Sequence, residues 1–375
     1  MRILMIVSRY GDDPASAGGD VQGALYARLW TEAGHDVTYL TSGDGEEDRD
    51  GVRVVRLGRT ELLPLNAYRY YRKHGRRFDI VYSEAFGGAR FPFCAPLYVK
   101  LPLITPWYQI NKPVFVHELG RLLGTAAGAV EHLIARLHDS AIILTPSELR
   151  RTDLIDYGFR SDRVFALPPV AIEETEPGLP SVQRDPSIVW LGKVRRYKCP
   201  HDAIEAMPRV LDEVPGARLT IAGRRGEKGY TRELHQRTRE LGIEQSVQFR
   251  FDISEDEKRD LLTRARALVV TSPVEGFGIV ILEAAALGTP SVVSDGVPEE
   301  VVSDLYNGLR YPFGETAALS NRLIEMLSAD SLHSGLAANA ISHARDFTRE
   351  SLASRLEETL AAATDLRRSA EAPAA

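Results

Sequence analysis

The chain has 375 residues, 44% hydrophobic and 26% charged, the balance of a globular protein of two or three domains that needs no covalent staples. Its formal net charge of −6 argues against a generally basic nucleic-acid binder. Its two cysteines, Cys94 and Cys199, leave no disulfide framework and no zinc-ligand spacing, and fit a reducing compartment.

The charge is uneven: residues 1–170 carry a net +1 and the remainder −7. The opening segment Met1-Arg2-Ile3-Leu4-Met5-Ile6-Val7 is too short for a signal-peptide core, and Arg9 ends it. No stretch reaches the 18 apolar residues of a membrane span. The expectation is a cytoplasmic protein with no integral membrane segment.

Residues 3–7 predict a buried strand, followed by a Gly/Asp/Pro/Ser-rich loop over 8–19. Val21, Leu25, Leu29 and Trp30 then recur at helical spacing, and Gly34 stops the helix. Residues 36–41 give a second strand, completing the first unit of a doubly wound parallel sheet. Further strands are predicted at 52–56, 80–83, 114–116, 141–145 and 164–167, closing an N-terminal domain over 1–170. Residues 171–186 lack periodicity, hold three prolines and read as a linker. The alternation restarts over 187–345, with strands at 188–191, 219–222, 247–249, 267–270 and 291–293 and helices at 201–214, 230–241, 254–265 and 278–287. Helices follow at 316–328, 333–345 and 350–366; the last, in a segment over 346–368, is expected to pack back toward the first domain. Residues 369–375 read as a disordered tail. Two doubly wound domains facing a shared cleft would bind ligands at the carboxyl ends of their strands.

Three loops follow predicted strands and carry chemistry. In Glu275-Gly-Phe-Gly-Ile-Val-Ile-Leu-Glu283, Gly276 and Gly278 permit close backbone approach, and the helix opening there suits a phosphate. Glu275 is placed to reach a sugar and Glu283 to accept two hydrogen bonds from ribose hydroxyls. The alternative is a helix cap and a solvated helix residue. In Leu191-Gly192-Lys193-Val194-Arg195-Arg196-Tyr197-Lys198, Lys193 and Lys198 can neutralise a departing diphosphate; otherwise this is a solvated basic turn. Gly18-Gly19-Asp20 opens a helix and is either a phosphate-compatible loop or a turn capped by Asp20.

Together these loops resemble the retaining glycosyltransferases of family four, with their two-domain GT-B fold. Glu275 and Glu283 fit the E-x7-E signature, ahead of Ala284-Ala285-Ala286-Leu287-Gly288-Thr289-Pro290. Gly192-Lys193 and Lys198 fit the diphosphate loop. Gly18-Gly19 with Gly34-His35-Asp36-Val37 fits the N-terminal pattern, and Asn307-Gly308-Leu309 fits a turn after the donor site. The resemblance covers nearly the whole chain. It implies that Glu275 contacts the donor sugar, Glu283 the ribose, and Lys193 and Lys198 the diphosphate. The backbone of Phe277, Gly278 and Ile279 would hold sugar and phosphate, Gly192 would belong to the diphosphate loop, and Gly18 and Gly19 would form the opposite wall. His117 matches a histidine near the transferred sugar; a histidine after a strand can equally be structural.

Three positions depart from the pattern: Lys193 stands where arginine is usual, Cys199 where glycine is usual, and Pro168-Pro169-Val170-Ala171 where Pro-Asn-Gly is usual. Lysine offers a point charge where arginine offers a planar fork. No metal or other cofactor is implied, and Asp48-Arg49-Asp50 reads as a solvated acidic turn. The basic aromatic segment over 68–77, with apolar neighbours at 91–93 and 101–107, is either a peripheral membrane contact or a helix with a solvated basic face.

The expected function is transfer of a hexose from a UDP- or GDP-sugar to a glycan or lipid-linked acceptor in cell-envelope or exopolysaccharide synthesis. A nucleotide-sugar epimerase of the same fold, or a non-catalytic nucleotide-sugar or glycan-binding protein, is the alternative.

Overall fold

The computed structural model describes residues 1–11, 18–86, 92–169, 184–226 and 228–371, apart from the side chains of His117 and residues 367–371. The chain divides into two units. Residues 1–169 and 349–375 form the first, and residues 170–348 form the second.

The first unit runs β1 (Arg2–Ile6), α1 (Gly18–Glu32), β2 (Asp36–Thr41), β3 (Gly43–Arg49), β4 (Val52–Gly58), α2 (Leu63–His74), β5 (Ile80–Ser83), β6 (Leu103–Pro106), α3 (Lys112–Leu137), β7 (Ile142–Thr145), α4 (Glu148–Tyr157) and β8 (Val164–Ala166). Its eight strands lie in the order β3-β4-β2-β1-β5-β6-β7-β8. All pair in parallel except β3 with β4. The continuous apolar runs are buried on both faces, as parallel strands covered by helices must be: residues 3–6 of β1 are inaccessible to solvent.

Four local expectations fail here. Residues 43–50 are not a solvated turn but the edge strand β3 and its hairpin to β4. Asp50 (φ 56) and Gly51 (φ 79) form the two-residue connection, both left-handed as a type I′ hairpin requires. Arg53 pairs with Glu46 at 2.5 Å and Arg56 with Glu47 at 3.0 Å across the strands, so charge rather than apolar alternation marks the pairing. Residues 114–116 are helical. Pro113 opens α3, and the buried Glu131 carboxylate accepts from the backbone N–H groups of Asn111 (2.8 Å) and Lys112 (3.0 Å), which fixes a helix start there. The strand preceding this helix is β6, so residues 101–107 do not add apolar surface: Leu103, Ile104 and Trp107 are buried, as is Phe93. Phe91 lies outside the described residues.

The second unit runs β9 (Ser187–Leu191), α5 (Pro200–Glu213), β10 (Arg218–Gly223), α6 (Lys228–Glu240), β11 (Val247–Phe251), α7 (Glu255–Arg264), β12 (Ala267–Val270), α8 (Ile279–Ala286), β13 (Ser291–Ser294), β14 (Gly308–Tyr311), α9 (Thr316–Ser328) and α10 (Asp330–Ala344). The six strands are parallel in the order β11-β10-β9-β12-β13-β14. β14 occupies part of the expected Asn-Gly-Leu turn. Asn307 does close a turn, accepting from Ser303 N–H and donating to Val301 O. Gly308 begins the strand, where a Cβ would come within 2.6 Å of Ser291 O.

Most of the expected linker, residues 171–183, lies outside the described residues. Its last part belongs to the second unit: Arg184 is buried and donates to Ala265 O (2.7 Å), Leu287 O (2.8 Å) and the Thr289 hydroxyl. Burial lowers its guanidinium to about 10.

The last helix, α11 (Arg349–Glu371), groups with the first unit. Leu352, Leu356, Leu360 and Ala363 form its buried stripe, and Arg349–Glu32 (2.7 Å) and His35–Glu357 (3.1 Å) tie it to residues at and after the end of α1. It continues through residues 369–371, which the sequence assigned to the tail; residues 372–375 lie outside the described residues.

Candidate active site

In the second unit the strand order reverses between β9 and β12, so the loops leaving these two strands diverge and leave a crevice at their carboxyl ends. Both loops carry predicted site residues. The β9 loop is strapped to the β12 loop: the Thr271 hydroxyl lies 2.9 Å from Lys198 O and 2.7 Å from Cys199 O. This brings Lys198 Nζ into an ion pair with Glu275 Oε1, which also accepts from the Ser272 hydroxyl at 2.6 Å. Both side chains are partly buried. Burial pulls the Lys198 ammonium down, but Glu275 and Tyr197 outweigh it and hold it above its ordinary value. A cation and a carboxylate predicted to serve one ligand thus share one place.

The backbone beneath this pair is packed against glycines absent from the motif analysis. A Cβ at Gly223 would lie 2.3 Å from Gly192 O, one at Gly226 1.5 Å from Val194 O, and one at Gly296 2.1 Å from Pro273 O. Gly296 O also accepts from Glu275 N–H. Only residues without a Cβ let these neighbouring loops seat the two site loops.

Gly278 (φ 92) precedes α8 as its N-cap with no side-chain cap, and Ile279 is the first helical residue. The helix start therefore presents backbone donors and the positive end of its dipole. Phe277 is buried against Phe347, with ring centroids 5.4 Å apart, and fixes the turn from below. Glu283 lies on α8, partly buried, with Oε1 3.0 Å from Lys258 Nζ. Burial raises its carboxyl above the ordinary range and Lys258 opposes that. Lys193 is exposed on the β9 loop.

No motif suggested a metal-ligand group, yet Cys199, His201 and Asp202 place their ligand atoms within 4.8 Å of one another. His201 Nδ1 is 2.6 Å from the Tyr230 hydroxyl. Burial, then Asp202, pushes the Cys199 thiol up to about 12, so the neutral thiol prevails there, and its Sγ lies 3.3 Å from Arg196 O. Asp48 and Asp50 serve the β3–β4 hairpin: Asp48 Oδ1 accepts from Gly51 N–H at 3.0 Å.

The first unit has its own order reversal, between β1 and β5. Gly18 and Gly19 are the first residues of α1; Asp20 is therefore inside the first turn rather than before the helix, and it is buried. The Tyr108 hydroxyl donates to Gly19 O, and a Cβ at Gly19 would lie 2.8 Å from the Tyr108 ring. Glu84, buried at the end of β5, accepts from Ser8 N–H and Ser8 Oγ, both at 3.0 Å. Burial, then the nearby Asp20 charge, pushes its carboxyl up to about 8. Sequence reasoning missed Glu84 and Tyr108, although Glu84 directly follows β5 and Tyr108 lies two residues past the end of β6.

His117 is a helical residue in the first arm of α3, not a residue at a strand end. Gly120 (φ 78) breaks that helix into two arms. Gly124 and Gly128 let them pack: a Cβ at Gly124 would lie 2.4 Å from Val116 Cα, and one at Gly128 2.6 Å from the Lys112 side chain.

In the 68–77 segment, Arg69, Arg72, Lys73, Arg76 and Arg77 are exposed, while Tyr68 and Tyr71 pack on Tyr98. No described helix is long and apolar enough to cross a membrane.

Comparison with known proteins agrees with this architecture. Residues 18–169 match the glycosyl transferase 4-like domain model and residues 171–343 the glycosyl transferases group 1 model. The chain is 37% identical to a glycogen synthase of Mycobacterium tuberculosis, over 81% of this chain and 80% of that protein. It is 30% identical to a D-inositol 3-phosphate glycosyltransferase of Corynebacterium urealyticum, over 96% and 95%. Among solved structures it resembles Anabaena HepE in complex with UDP and glucose (TM-score 0.75, 19% identity, 96% and 99% covered). It also resembles sucrose-phosphate synthase of Thermosynechococcus elongatus (TM-score 0.77, 17% identity, 95% and 97% covered). With two doubly wound parallel sheets and matches to both domain models, this chain belongs to the family-four-like glycosyltransferases of GT-B fold.

Proposed function

We propose that the protein is a retaining hexosyltransferase that uses a UDP- or GDP-sugar and a glycan or lipid-linked acceptor in cell-envelope or exopolysaccharide synthesis, without a metal. The observation that carries this reading is the Lys198–Glu275 pair beside the uncapped start of α8. A bound sugar diphosphate would place its phosphates against Lys198, Lys193, the Gly192 backbone and the N–H groups at Gly278 and Ile279, with Phe277 supporting the turn. Glu275 would hold the sugar and Glu283 the ribose. The family resemblance also assigns Gly18 and Gly19 to the donor phosphate and His117 to the transferred sugar.

In this reading the anomeric carbon–oxygen bond to the diphosphate breaks while the acceptor oxygen attacks from the same face. A phosphate oxygen takes the acceptor proton, and the fixed cation and helix terminus stabilise the charge on the leaving group. The names of the relatives support a glycosyltransferase, and HepE in complex with UDP-glucose supports a nucleotide-sugar donor. The exposed basic face of α2 supports a peripheral contact with an anionic acceptor or lipid.

Thermal stabilisation by UDP, GDP and their sugars, with and without EDTA, is the first test. A shift with one base that EDTA leaves unchanged is expected, followed by acceptor-dependent release of that diphosphate with retained anomeric configuration. A trapped covalent glycosyl-enzyme overturns the same-face mechanism. Loss of activity with EDTA, restored by metal, overturns metal independence and directs attention to Cys199, His201 and Asp202. Donor epimerised without acceptor identifies an epimerase.

A further inference from the structure

We infer that Lys258 is a positioning residue for nucleotide recognition: its ammonium, 3.0 Å from Glu283 Oε1, holds and aims that carboxylate so that it reads the ribose diol of the donor. The inference rests on the assignment of Glu283 to the ribose.

Lys258 is on α7, outside every motif identified in the sequence. Its place is fixed by the start of that helix. The Ser254 hydroxyl accepts from Glu257 N–H at 3.2 Å, and Glu257 Oε2 accepts from Ser254 N–H at 2.9 Å, a capping box that locks the first turn. Lys258, the next residue, donates its own N–H to Ser254 O at 2.9 Å. Its side chain reaches across to α8, where Nζ lies 3.0 Å from Glu283 Oε1. On its other side Nζ is 2.5 Å from Glu255 Oε2, a side chain 86% exposed. Glu283 is 25% exposed and Lys258 23%.

A carboxylate that reads a vicinal diol must be an acceptor at both oxygens. Lys258 holds Oε1 and leaves Oε2 with no hydrogen-bond partner among the described residues. Burial works the other way, favouring the neutral acid, which would put a proton on an atom that has to accept one. The charged groups facing Glu283 are Lys258 and Glu255, both from α7. Glu255 raises its carboxyl, so Lys258 is the group that opposes protonation. Its ammonium also limits the directions the Glu283 carboxylate can take.

The test uses the full chain and measures dissociation constants for UDP and GDP, each against its 2′,3′-dideoxy analogue, between pH 5.5 and 8. The wild type is expected to prefer the ribonucleotide at least tenfold. Glu283→Gln should lose that preference. Lys258→Met should lose most of it while binding the dideoxy analogue as before, and what remains should grow as pH rises. Lys258→Arg should restore it, and Glu255→Gln should keep it.

If Glu283→Gln loses the preference and Lys258→Met keeps it at every pH, the inference about Lys258 is overturned and the ribose assignment stands. If the wild type shows no preference, or binds neither nucleotide, the ribose assignment falls and this inference with it. Should Lys258→Met lower the melting temperature, Lys258→Gln gives the same comparison, and unchanged binding of the dideoxy analogue separates a positioning role from general loosening.

Discussion

The two order-reversal sites are built on the same parallel-sheet geometry but from opposite chemistry. In the second unit the loops after β9 and β12 present a cation, a carboxylate held by that cation, and a helix start capped by glycine. In the first unit the ends of β1, β5 and β6 present Ser8, Glu84 and Tyr108 beside the buried Asp20. The first set pairs charges beside a helix start, whereas the second is bonded to its own surroundings: Glu84 accepts from Ser8, and Tyr108 donates to Gly19 O. The fold supplies the crevice in both, and side chains alone decide what it can hold. The difference also shows in titration: Lys198 is kept charged by its partner, whereas Glu84 is pushed toward the neutral acid.

The largest effect that would test this contrast is expected from Lys198→Ala. Removing one charged contact to a leaving group costs about 2.7–4 kcal/mol in the transition state, a loss of roughly 10²–10³ in kcat. Steady-state turnover measures it, and full activity would remove the cation from the proposed mechanism. A smaller loss is expected from Gly226→Ala. Its Cβ would collide with Val194 O, and relieving such strain costs on the order of 1–3 kcal/mol. Nucleotide affinity should fall about tenfold, read by calorimetry, while a matching substitution at exposed Gly229, which meets nothing within 4 Å, leaves it unchanged.

The third prediction concerns pH. The folded-state carboxyl of Glu84 lies at about 8, above its ordinary 4.5. The folded protein therefore binds more protons than the unfolded one between these values. Its stability contribution is complete below about 4.5 and is lost as pH rises toward 8. Glu84→Gln should flatten the fall in Tm across that window by a few degrees; an unchanged slope would show that Glu84 is ionised in the fold. The smallest effect is expected at Asp48. Asp48→Ala removes one exposed hydrogen bond, worth about 0.5–1.5 kcal/mol. Turnover should stay within twofold, since the hairpin acids take no part in the proposed chemistry.

Sequence patterning revealed the parts of this molecule whose physics is local. The strands of the second unit are short and mostly apolar, and five of its six were placed within two residues. The sixth, β14, hid behind Asn307-Gly308-Leu309, whose turn signal is real but ends two residues earlier than the motif suggested. β3 was missed because its residues are polar and its pairing rests on Glu46, Glu47, Arg53 and Arg56; the Asp50-Gly51 pair was the available signal. β6 was obscured by Pro102 and Pro106 at its ends, and that omission shifted the apparent strand to 114–116.

At the site, motifs located Lys198, Glu275 and Glu283 individually. Their mutual contacts were not legible, because Lys198 and Glu275 stand 77 residues apart and Lys258 belongs to no motif. Gly223, Gly226 and Gly296 were equally hidden, since each matters through a backbone approach from another loop. Glu84 was invisible for a related reason: a single carboxylate after a strand acquires its character only from what buries it.

The helix α11 has a consequence for how the protein is made. The first unit is interrupted by the whole of the second, and its buried stripe Leu352, Leu356, Leu360 and Ala363 is translated only after the second unit. At roughly 5–20 residues per second, a ribosome spends tens of seconds between residue 169 and residue 349 while that part of the first unit stays uncovered. The second unit, continuous over 170–348, can complete its contacts in that interval. Synthesis thus orders the assembly: of the two units, the one begun first closes second.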